Sequence, residues 1–273
     1  MASAERRVAI VTGAASGIGR ALSLALARQG VAVGVVDINE RSAIALAEAI
    51  RADGGWALPF GRDIACEHAL VDVADTLLRE AGRVDRLYNV AGLEVNGDVL
   101  AVDAARWRAA LAVDLEGVIY ATRTVYPILR ERRQGQIVTV ASLAGLVPLP
   151  GLAYYGAAKH AVVGFMLALR AEAQAHGVSI SLACPALVDT EIRANTAAYL
   201  GRPQAPQPRL RWPRPISAER CAGDILRGAA RGEAVTVIPG GLTWIWWLYR
   251  LSPGLFMALT GRLRARWTTD PTL

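Results

Sequence analysis

Tyr155 and Lys159 are the residues of this sequence whose types and spacing most directly suggest chemistry. Lys159 is the only lysine, since every other basic residue among the 30 Lys+Arg positions is arginine. Positions four apart share one face of a helix, so the ammonium and the phenol would lie side by side. An adjacent cation lowers the pKa of a phenol, and such a tyrosine can act as a general acid or base near neutral pH. A codon bias that spared one surface lysine would leave the same pair, so other motifs must decide.

The segment TGAASGIG, residues 12–19, carries the second chemical signal. Its glycines, Gly13, Gly17 and Gly19, permit a tight turn, a close approach of the backbone to a pyrophosphate, and close packing of a helix on a strand. The helix that follows would present free N–H groups and its positive dipole end to phosphates. An apolar strand, a glycine loop and a helix in this order predict a dinucleotide site.

Asp37 indicates which dinucleotide binds. It ends the second predicted strand, 18 residues after Gly19. A carboxylate there can accept both ribose hydroxyls of NAD and would repel the 2′-phosphate of NADP. Ser16 and Ile38 offer no cation for such a phosphate. Asp37 could instead cap the next helix. We expect NAD as the cofactor.

Short apolar runs alternate with helical stretches along the chain. The predicted strands are residues 8–12, 31–37, 57–63, 84–92, 136–142, 179–185 and 234–239, and one long helix is predicted over 103–132. This alternation indicates an α/β fold, a doubly wound Rossmann-type parallel sheet of about seven strands in a single domain. We place the catalytic domain at 1–239, with a substrate loop at 186–216, and an apolar C-terminal extension at 240–273.

Composition narrows the function classes. A hydrophobic content of 53% with 20% charged residues predicts a packed core rather than disorder. The formal charge of +6 comes from scattered arginines without an aromatic array, so no nucleic-acid partner is expected. The cysteines and histidines show no ligand spacing, which predicts neither a metal site nor disulfides. A strand-like run begins within eight residues of the N-terminus, which leaves no room for a signal peptide and predicts a cytoplasmic protein.

With these motifs in order, the chain resembles the short-chain dehydrogenase/reductase family, in its branch with a TGxxxGIG pattern and a YxxxK active site. The resemblance runs from residue 8 to about 239 and includes NVAG at 89–92, CPALVDT at 184–190, and Ser142 at 13 residues before Tyr155. It implies that Tyr155 exchanges a proton with the substrate and that Ser142 hydrogen-bonds the substrate oxygen. It also implies that Lys159 lowers the tyrosine pKa and holds the nicotinamide ribose. Ser142 could otherwise be a helix cap.

The resemblance further implies a set of cofactor contacts. Asp63 would approach the adenine, and Asn89 would stabilise the central sheet at the cofactor edge. The expected cofactor residues are Gly13, Ser16, Gly17, Ile18, Gly19, Asp37, Asp63, Ile64, Asn89, Ala91, Gly92, Tyr155, Lys159, Pro185, Val188 and Thr190.

Asp114 departs from the family pattern, which usually has asparagine at this point of the long helix. An ionised carboxylate accepts hydrogen bonds but cannot donate them. A buried negative charge near Lys159 would raise the tyrosine pKa or become protonated itself. We expect Asp114 to be a fourth catalytic residue, with a purely structural role as the alternative.

The residues expected around the substrate are mostly apolar. Besides Ser142 and Tyr155, the substrate contacts expected are Leu143, Leu149 and Leu187, with Leu146, Val147 and Leu152 nearby. Glu94 is a possible polar contact or a solvated loop carboxylate. An apolar pocket with one polar centre suits a hydrophobic secondary alcohol or its ketone. We therefore expect an NAD-dependent dehydrogenase that forms a homodimer or homotetramer. The alternatives are an NADPH-dependent ketoreductase of lipid or polyketide synthesis and a weakly active nucleotide-binding scaffold.

The C-terminal extension has an unusual composition. Tryptophans stand at 244, 246 and 247, and arginines cluster from 262 to 266. This composition is typical of a membrane interface, so 242–267 is a candidate for peripheral membrane contact. Pro253 and Arg250 interrupt the segment, which is too short on either side to span a bilayer. The alternative is an arm that packs on a partner subunit or covers the substrate pocket.

Overall fold

The fold is known from a computed structural model, which describes residues 6–201 and 214–268, with side chains described through 262. The expected substrate loop contains a Pro- and Arg-rich stretch at 202–215, and residues 202–213 of it lie outside the described residues. The strands are β1 Val8–Thr12, β2 Ala32–Asp37, β3 Ala57–Gly61, β4 Arg86–Asn89, β5 Gly135–Val140, β6 Val178–Pro185, β7 Val188–Asp189, β8 Ile216–Ser217 and β9 Val235–Ile238.

Helices connect the strands and continue past the last one. They are α1 Gly17–Arg28, α2 Glu40–Ala52, α3 Val71–Ala81, α4 Ala104–Leu111, α5 Gly117–Glu131, α6 Ala153–Gln174, α7 Ile192–Leu200, α8 Ala218–Ala230, α9 Thr243–Leu251 and α10 Pro253–Thr268. A π-helical turn, Ala112–Glu116, joins α4 to α5, and 3-10 turns occupy Leu143–Gly145 and Gly240–Leu242.

Seven of the strands form one parallel sheet in the order β3-β2-β1-β4-β5-β6-β9. The order reverses direction between β1 and β4, and in such sheets the crevice at this switch point is where ligands bind. The predicted α/β, Rossmann-type sheet of seven strands is therefore confirmed. Strands β7 and β8 form a separate two-stranded pair within the expected substrate loop.

The core lies in two layers because successive side chains of a strand point to opposite faces of the sheet. Val8 and Ile10 of β1 pack in the layer that α3, α5 and α6 cover, whereas Ala9 and Val11 pack in the layer that α1, α2 and α8 cover. Both faces are apolar, which explains why the strand sequences are continuous apolar runs without alternation.

The long helix predicted over 103–132 is broken in one place. Its span is α4, the π-helical turn and α5, and the turn contains Asp114. A π turn inserts an extra residue into the helical repeat and frequently occurs at functional sites. Here it lies next to Lys159, as the site geometry shows.

Candidate active site

Tyr155 and Lys159 lie in the first two turns of α6, and both side chains are buried. The Lys159 Nζ atom is 5.6 Å from the centroid of the Tyr155 ring. The shared helix face expected from the spacing of four is therefore present, and the pair meets inside the protein rather than at its surface.

A buried ion pair dominates this site. Lys159 Nζ lies 3.0 Å from Asp114 Oδ1, and the Asp114 side chain is fully buried. The backbone N–H of Leu93 donates to the same carboxylate oxygen at 3.0 Å. Burial raises the pKa of Asp114, while the charge and the hydrogen bond of Lys159 act in the opposite direction. The structure thus places the residue that departs from the family pattern in direct contact with the lone lysine.

Gly92 makes the close approach of this pair possible. A Cβ atom at Gly92 would lie 2.7 Å from Asp114 Oδ1 and 3.2 Å from Lys159 Nζ. The first distance is shorter than real Cβ contacts, so any other residue at this position would displace the carboxylate. Gly92 therefore has a steric function in the site, in addition to the cofactor contact expected from the sequence.

The charges around Tyr155 do not favour its phenolate in the protein alone. Burial raises the pKa of Tyr155 above its ordinary value, the carboxylates of Asp114 and Glu94 raise it further, and a hydrogen bond with Ser142 lowers it. The expectation that Lys159 lowers this pKa stays a prediction, and the lysine ammonium is paired with the Asp114 carboxylate at 3.0 Å.

Ser142 caps a turn, which the sequence offered as the alternative to substrate contact, and it also interacts with Tyr155. Its Oγ caps the 3-10 turn that follows β5 by accepting the N–H of Ala144 at 3.1 Å. The same hydroxyl lies 3.5 Å from the carbonyl of Pro185 and interacts with Tyr155. The cap fixes the serine at the carboxyl end of β5, where its hydroxyl meets the phenol. Burial raises the pKa of the neighbouring Cys184 thiol to about 12, so a thiolate does not compete as a base.

Tyr154 and Glu94 differ in how they relate to Tyr155. The Tyr154 hydroxyl donates to the carbonyl of Val99 at 2.8 Å and its ring packs on Trp107, so this phenol supports a loop away from Lys159. Glu94, treated as a loop carboxylate with an uncertain role, acts electrostatically on Tyr155. Its position two residues after NVAG was the sequence signal for a contact in this region.

The glycine loop has the shape that a pyrophosphate site needs. Gly13 and Gly17 have φ values of +61° and +45°, which favour glycine. A Cβ at Gly13 would lie 2.6 Å from the Cα of Ala91. Ser16 precedes α1 and its side chain does not cap the helix, which leaves the first N–H groups of α1 for a ligand. Ile18 lies in the first turn of the same helix.

Asp37 holds the glycine loop from the end of β2. Its carboxylate accepts the N–H of Ala15 at 2.9 Å and the N–H of Asn39 at 3.0 Å. The side chain that caps α2 is Asn39, which accepts from Ser42 N. The alternative in which Asp37 caps this helix is therefore wrong. The carboxylate stays half-buried beside the loop, where a ribose would lie next to a bound pyrophosphate.

Helix α7, which the sequence interpretation did not predict, lies across the same region. Tyr199 donates to Asp63 Oδ2 at 3.2 Å, and Asn195 Nδ2 donates to Ser16 Oγ at 3.1 Å. Burial and the charge of Asp63 raise the pKa of Tyr199 to about 12, which keeps it a donor. One helix thus contacts both the glycine loop and the residue expected near the adenine.

Two of the expected cofactor residues, Asn89 and Ile64, are buried in the protein. Asn89 is buried, and its amide donates to Thr139 at 3.1 Å and to Thr122 at 3.3 Å, which supports the sheet role expected for it. Ile64 packs in a small cluster whose members include Leu93 and Tyr199. The contacts of Asn89 and Ile64 with the cofactor stay predictions.

Thr12 was missed by the sequence interpretation. Its hydroxyl oxygen accepts the N–H groups of Val90 and Ala91 at 3.0 and 3.3 Å, which ties the end of β1 to the end of β4. Thr12 appeared in the sequence only as the last residue before the glycine turn, so its type gave no separate signal. The remaining expected contacts, Pro185, Val188 and Thr190, lie at the carboxyl end of β6 and in the segment after it, where Thr190 packs against Gly17.

The apolar residues expected around the substrate divide into two groups. Leu143, like Leu146 and Val147, is buried in the main core cluster. Leu149, Leu152 and Leu187 keep partial exposure. Leu143 therefore also packs in the core, and the substrate contacts expected of Leu143, Leu149 and Leu187 stay predictions.

Known proteins are similar to this chain in sequence and in fold. The family model for the short chain dehydrogenase matches residues 7–200. Probable oxidoreductase EphD of Mycobacterium tuberculosis is 39% identical over 190 residues, which cover 69% of this chain and 32% of that protein. The match thus spans about a third of the length of that relative. The 3-oxoacyl-acyl-carrier-protein reductase of Synechocystis is 33% identical over 200 residues, covering 72% of this chain and 81% of the relative.

A solved structure extends the likeness to most of the fold. A short-chain dehydrogenase/reductase from Burkholderia phymatum, crystallised in complex with NAD, superposes with a TM-score of 0.82 at 26% identity. The superposition covers 93% of this chain and 96% of the other. The family model covers well over half of the chain, and the seven-stranded sheet agrees with it. The chain therefore belongs to the short-chain dehydrogenase family of oxidoreductases.

Proposed function

We propose that this protein is an NAD-dependent oxidoreductase that interconverts a hydrophobic secondary alcohol and its ketone, with Tyr155 as general acid and base. One observation carries the proposal. Gly13 of the glycine loop contacts Ala91, and the next residue, Gly92, contacts Lys159 and Asp114. The dipeptide Ala91-Gly92 therefore lies between the predicted cofactor loop and the residues expected to transfer the proton.

The residues fit a nicotinamide cofactor, because the glycine turns leave no space for side chains where the backbone must approach a phosphate. Gly17, Asp37 and Asp63 would hold it, and the bound cofactor would supply hydride transfer. In oxidation, the Tyr155 oxygen takes the proton of the substrate hydroxyl while Ser142 donates a hydrogen bond to the same substrate oxygen. In reduction, the phenol gives the proton back.

The apolar side chains near these groups support a hydrophobic substrate. Leu149, Leu152 and Leu187 are partly exposed in the segments that follow β5 and β6. Turnover of a panel of linear, cyclic and aromatic secondary alcohols with NAD⁺, and of the matching ketones with NADH, tests the proposal. Activity limited to charged or small polar substrates would contradict it.

A second candidate is an NADPH-dependent ketoreductase that acts on a lipid or polyketide intermediate. It is favoured by the similarity to a 3-oxoacyl-acyl-carrier-protein reductase. Asp37 argues against NADPH, since its carboxylate would face the 2′-phosphate. Comparison of NADH and NADPH binding by protein fluorescence separates the two candidates, and tighter binding of NADPH would favour the second.

Asp37→Asn is expected to reduce the preference for NADH over NADPH. The amide keeps an acceptor for the N–H of Ala15 but loses the charge that binds the ribose and repels a phosphate. Hydrogen bonds to charged groups contribute roughly 1.5–3 kcal/mol, so NADH affinity should fall about tenfold to a hundredfold, and NADPH affinity should fall less or rise. Glu40→Gln, which removes an exposed carboxylate three residues away, is the control. Equal losses for both cofactors would count against the assignment of Asp37.

Tyr199→Phe is expected to tighten NADH binding about twofold to tenfold. The phenol donates to the Asp63 oxygen that would accept from an adenine, and a hydrogen bond of this kind contributes roughly 0.5–1.5 kcal/mol. Titration of NADH into the variant measures the change. Tyr126→Phe, a half-buried tyrosine of the core, is the matched control. Weaker binding by Tyr199→Phe would show that the phenol helps to hold the cofactor instead of competing for Asp63.

A further inference from the structure

Helices α9 and α10 present large apolar side chains to solvent. Trp244, Trp247 and Leu251 of α9 are 52, 53 and 80% exposed, and their spacing of three and four puts them on one helix face. Helix α10 adds Leu255 and Leu259, which are 51 and 42% exposed and also share a face. We call these five residues the outer apolar surface. Large exposed apolar surfaces of this kind mark sites of interaction.

The fold holds this surface outward. The opposite side of α9, with Ile245, Trp246, Leu248 and Tyr249, packs against the main core cluster. The buried ring of Phe256 in α10 meets Tyr249 edge-on at a centroid distance of 5.3 Å. Both helices are therefore anchored through their inner sides, and the outer apolar surface is a stable feature of the folded protein.

The charges in this region have one sign. From residue 234 to residue 269 the sequence contains four arginines and no Asp or Glu. The Arg250 guanidinium lies 5.5 Å from the ring centroid of Trp246 and 6.0 Å from that of Trp247. Arg262 is exposed near the end of the described side chains. Cations thus accompany tryptophan and leucine, which is the pattern of segments that lie in the interface of an anionic membrane.

We propose that the outer apolar surface, with Arg250 and Arg262, binds the surface of an anionic lipid bilayer. A symmetric contact with a second copy would bring arginines together in a segment without a carboxylate to pair with them, so that occupant is disfavoured. The tryptophan rings suit the headgroup level, and the arginines suit lipid phosphates. No helix among the described residues is long and apolar enough to cross a membrane. The contact is therefore peripheral.

Vesicle sedimentation with the full-length protein tests the proposal. The protein should sediment with vesicles of phosphatidylcholine and phosphatidylglycerol, much less with phosphatidylcholine alone, and salt should weaken binding. An arginine near an anionic surface contributes about a fivefold gain in affinity, so Arg250→Gln with Arg262→Gln should lower the affinity roughly twenty-fivefold. Trp244→Ser with Trp247→Ser should abolish sedimentation. Ile44→Ser with Val71→Ser, which removes exposed apolar side chains from α2 and α3, is the matched control and should bind like the parent.

Light scattering of the same proteins tests the alternative in which the outer apolar surface binds a second copy of this chain. The proposal expects the tryptophan pair to leave the molar mass unchanged. The proposal is overturned if the parent does not sediment with anionic vesicles. It is also overturned if, in addition, the tryptophan variant has half the molar mass of the parent, since the surface would then bind a second copy of the chain. Equal loss of vesicle binding in the Ile44 and Val71 control would also overturn it, since binding would then not depend on α9.

Discussion

Tyr155→Phe is expected to lower the rate of alcohol oxidation about a hundredfold to ten-thousandfold, the usual contribution of a positioned general acid or base. The variant keeps the ring that packs in the first turns of α6 but has no oxygen to exchange a proton with the substrate. The rate constant kcat should fall, whereas the affinity for NADH should change little. Steady-state kinetics and NADH titration measure both quantities.

Tyr154→Phe is the matched control for this experiment. It removes the hydroxyl of the preceding residue, which donates to the carbonyl of Val99 and does not meet Ser142. Its kcat should stay within about threefold of the parent, since the loss of one hydrogen bond affects stability more than proton transfer. Circular dichroism should show the same folded content for both variants. A Tyr155→Phe protein that retains parental turnover would exclude the tyrosine as the proton-transfer group.

Asp114→Asn is expected to shift the pH profile of alcohol oxidation to lower pH by about one unit or more. The Asp114 carboxylate contributes to the raised pKa of Tyr155, and oxidation uses the phenolate, which forms as the pH rises through that pKa. Removal of the negative charge lowers the pKa, so the phenolate is present at lower pH. At a pH below the pKa, each unit by which the pKa of Tyr155 is lowered raises the fraction of phenolate about tenfold. Measurement of kcat/KM against pH reports the change.

Two further variants separate charge from structure. Glu116→Gln removes an exposed carboxylate from the same π-helical turn and should leave the profile in place. Asp114→Ala leaves Lys159 buried without its partner and should cost about 3–5 kcal/mol of unfolding free energy, measured with denaturant. A profile for Asp114→Asn that overlays the parental one would show that Asp114 is structural.

The sheet could be predicted from the sequence because its strands are buried on both faces. Such strands are continuous apolar runs, and the helices between them leave no other arrangement than a parallel sheet. The glycine loop was predictable for a related reason, since Gly13 and Gly17 stand where other residues would clash or take a strained backbone. Both patterns involve residues that are close together along the chain, so they can be recognised in a single sequence.

The parts that could not be predicted depend on contacts between distant segments. The π-helical turn keeps a helical composition, and the sequence does not show that its Asp114 meets Lys159, 45 positions later. Helix α7 is short, and Asn195 and Tyr199 hold it to the glycine loop and Asp63 across the fold. The raised pKa of Tyr155 likewise depends on which carboxylates face it. Spacing along the chain does not contain this information.

The lack of space at Gly92 has a consequence for how this site can evolve. A side chain at position 92 would push Asp114 away from Lys159, and loss of Asp114 would leave the lysine without its counter-charge. The contact between Asp114 and Lys159 therefore depends on the absence of a side chain at position 92. Among descendants of this chain, a side chain at position 92 is compatible with Asp114 only where the carboxylate shifts away from its present place beside Lys159.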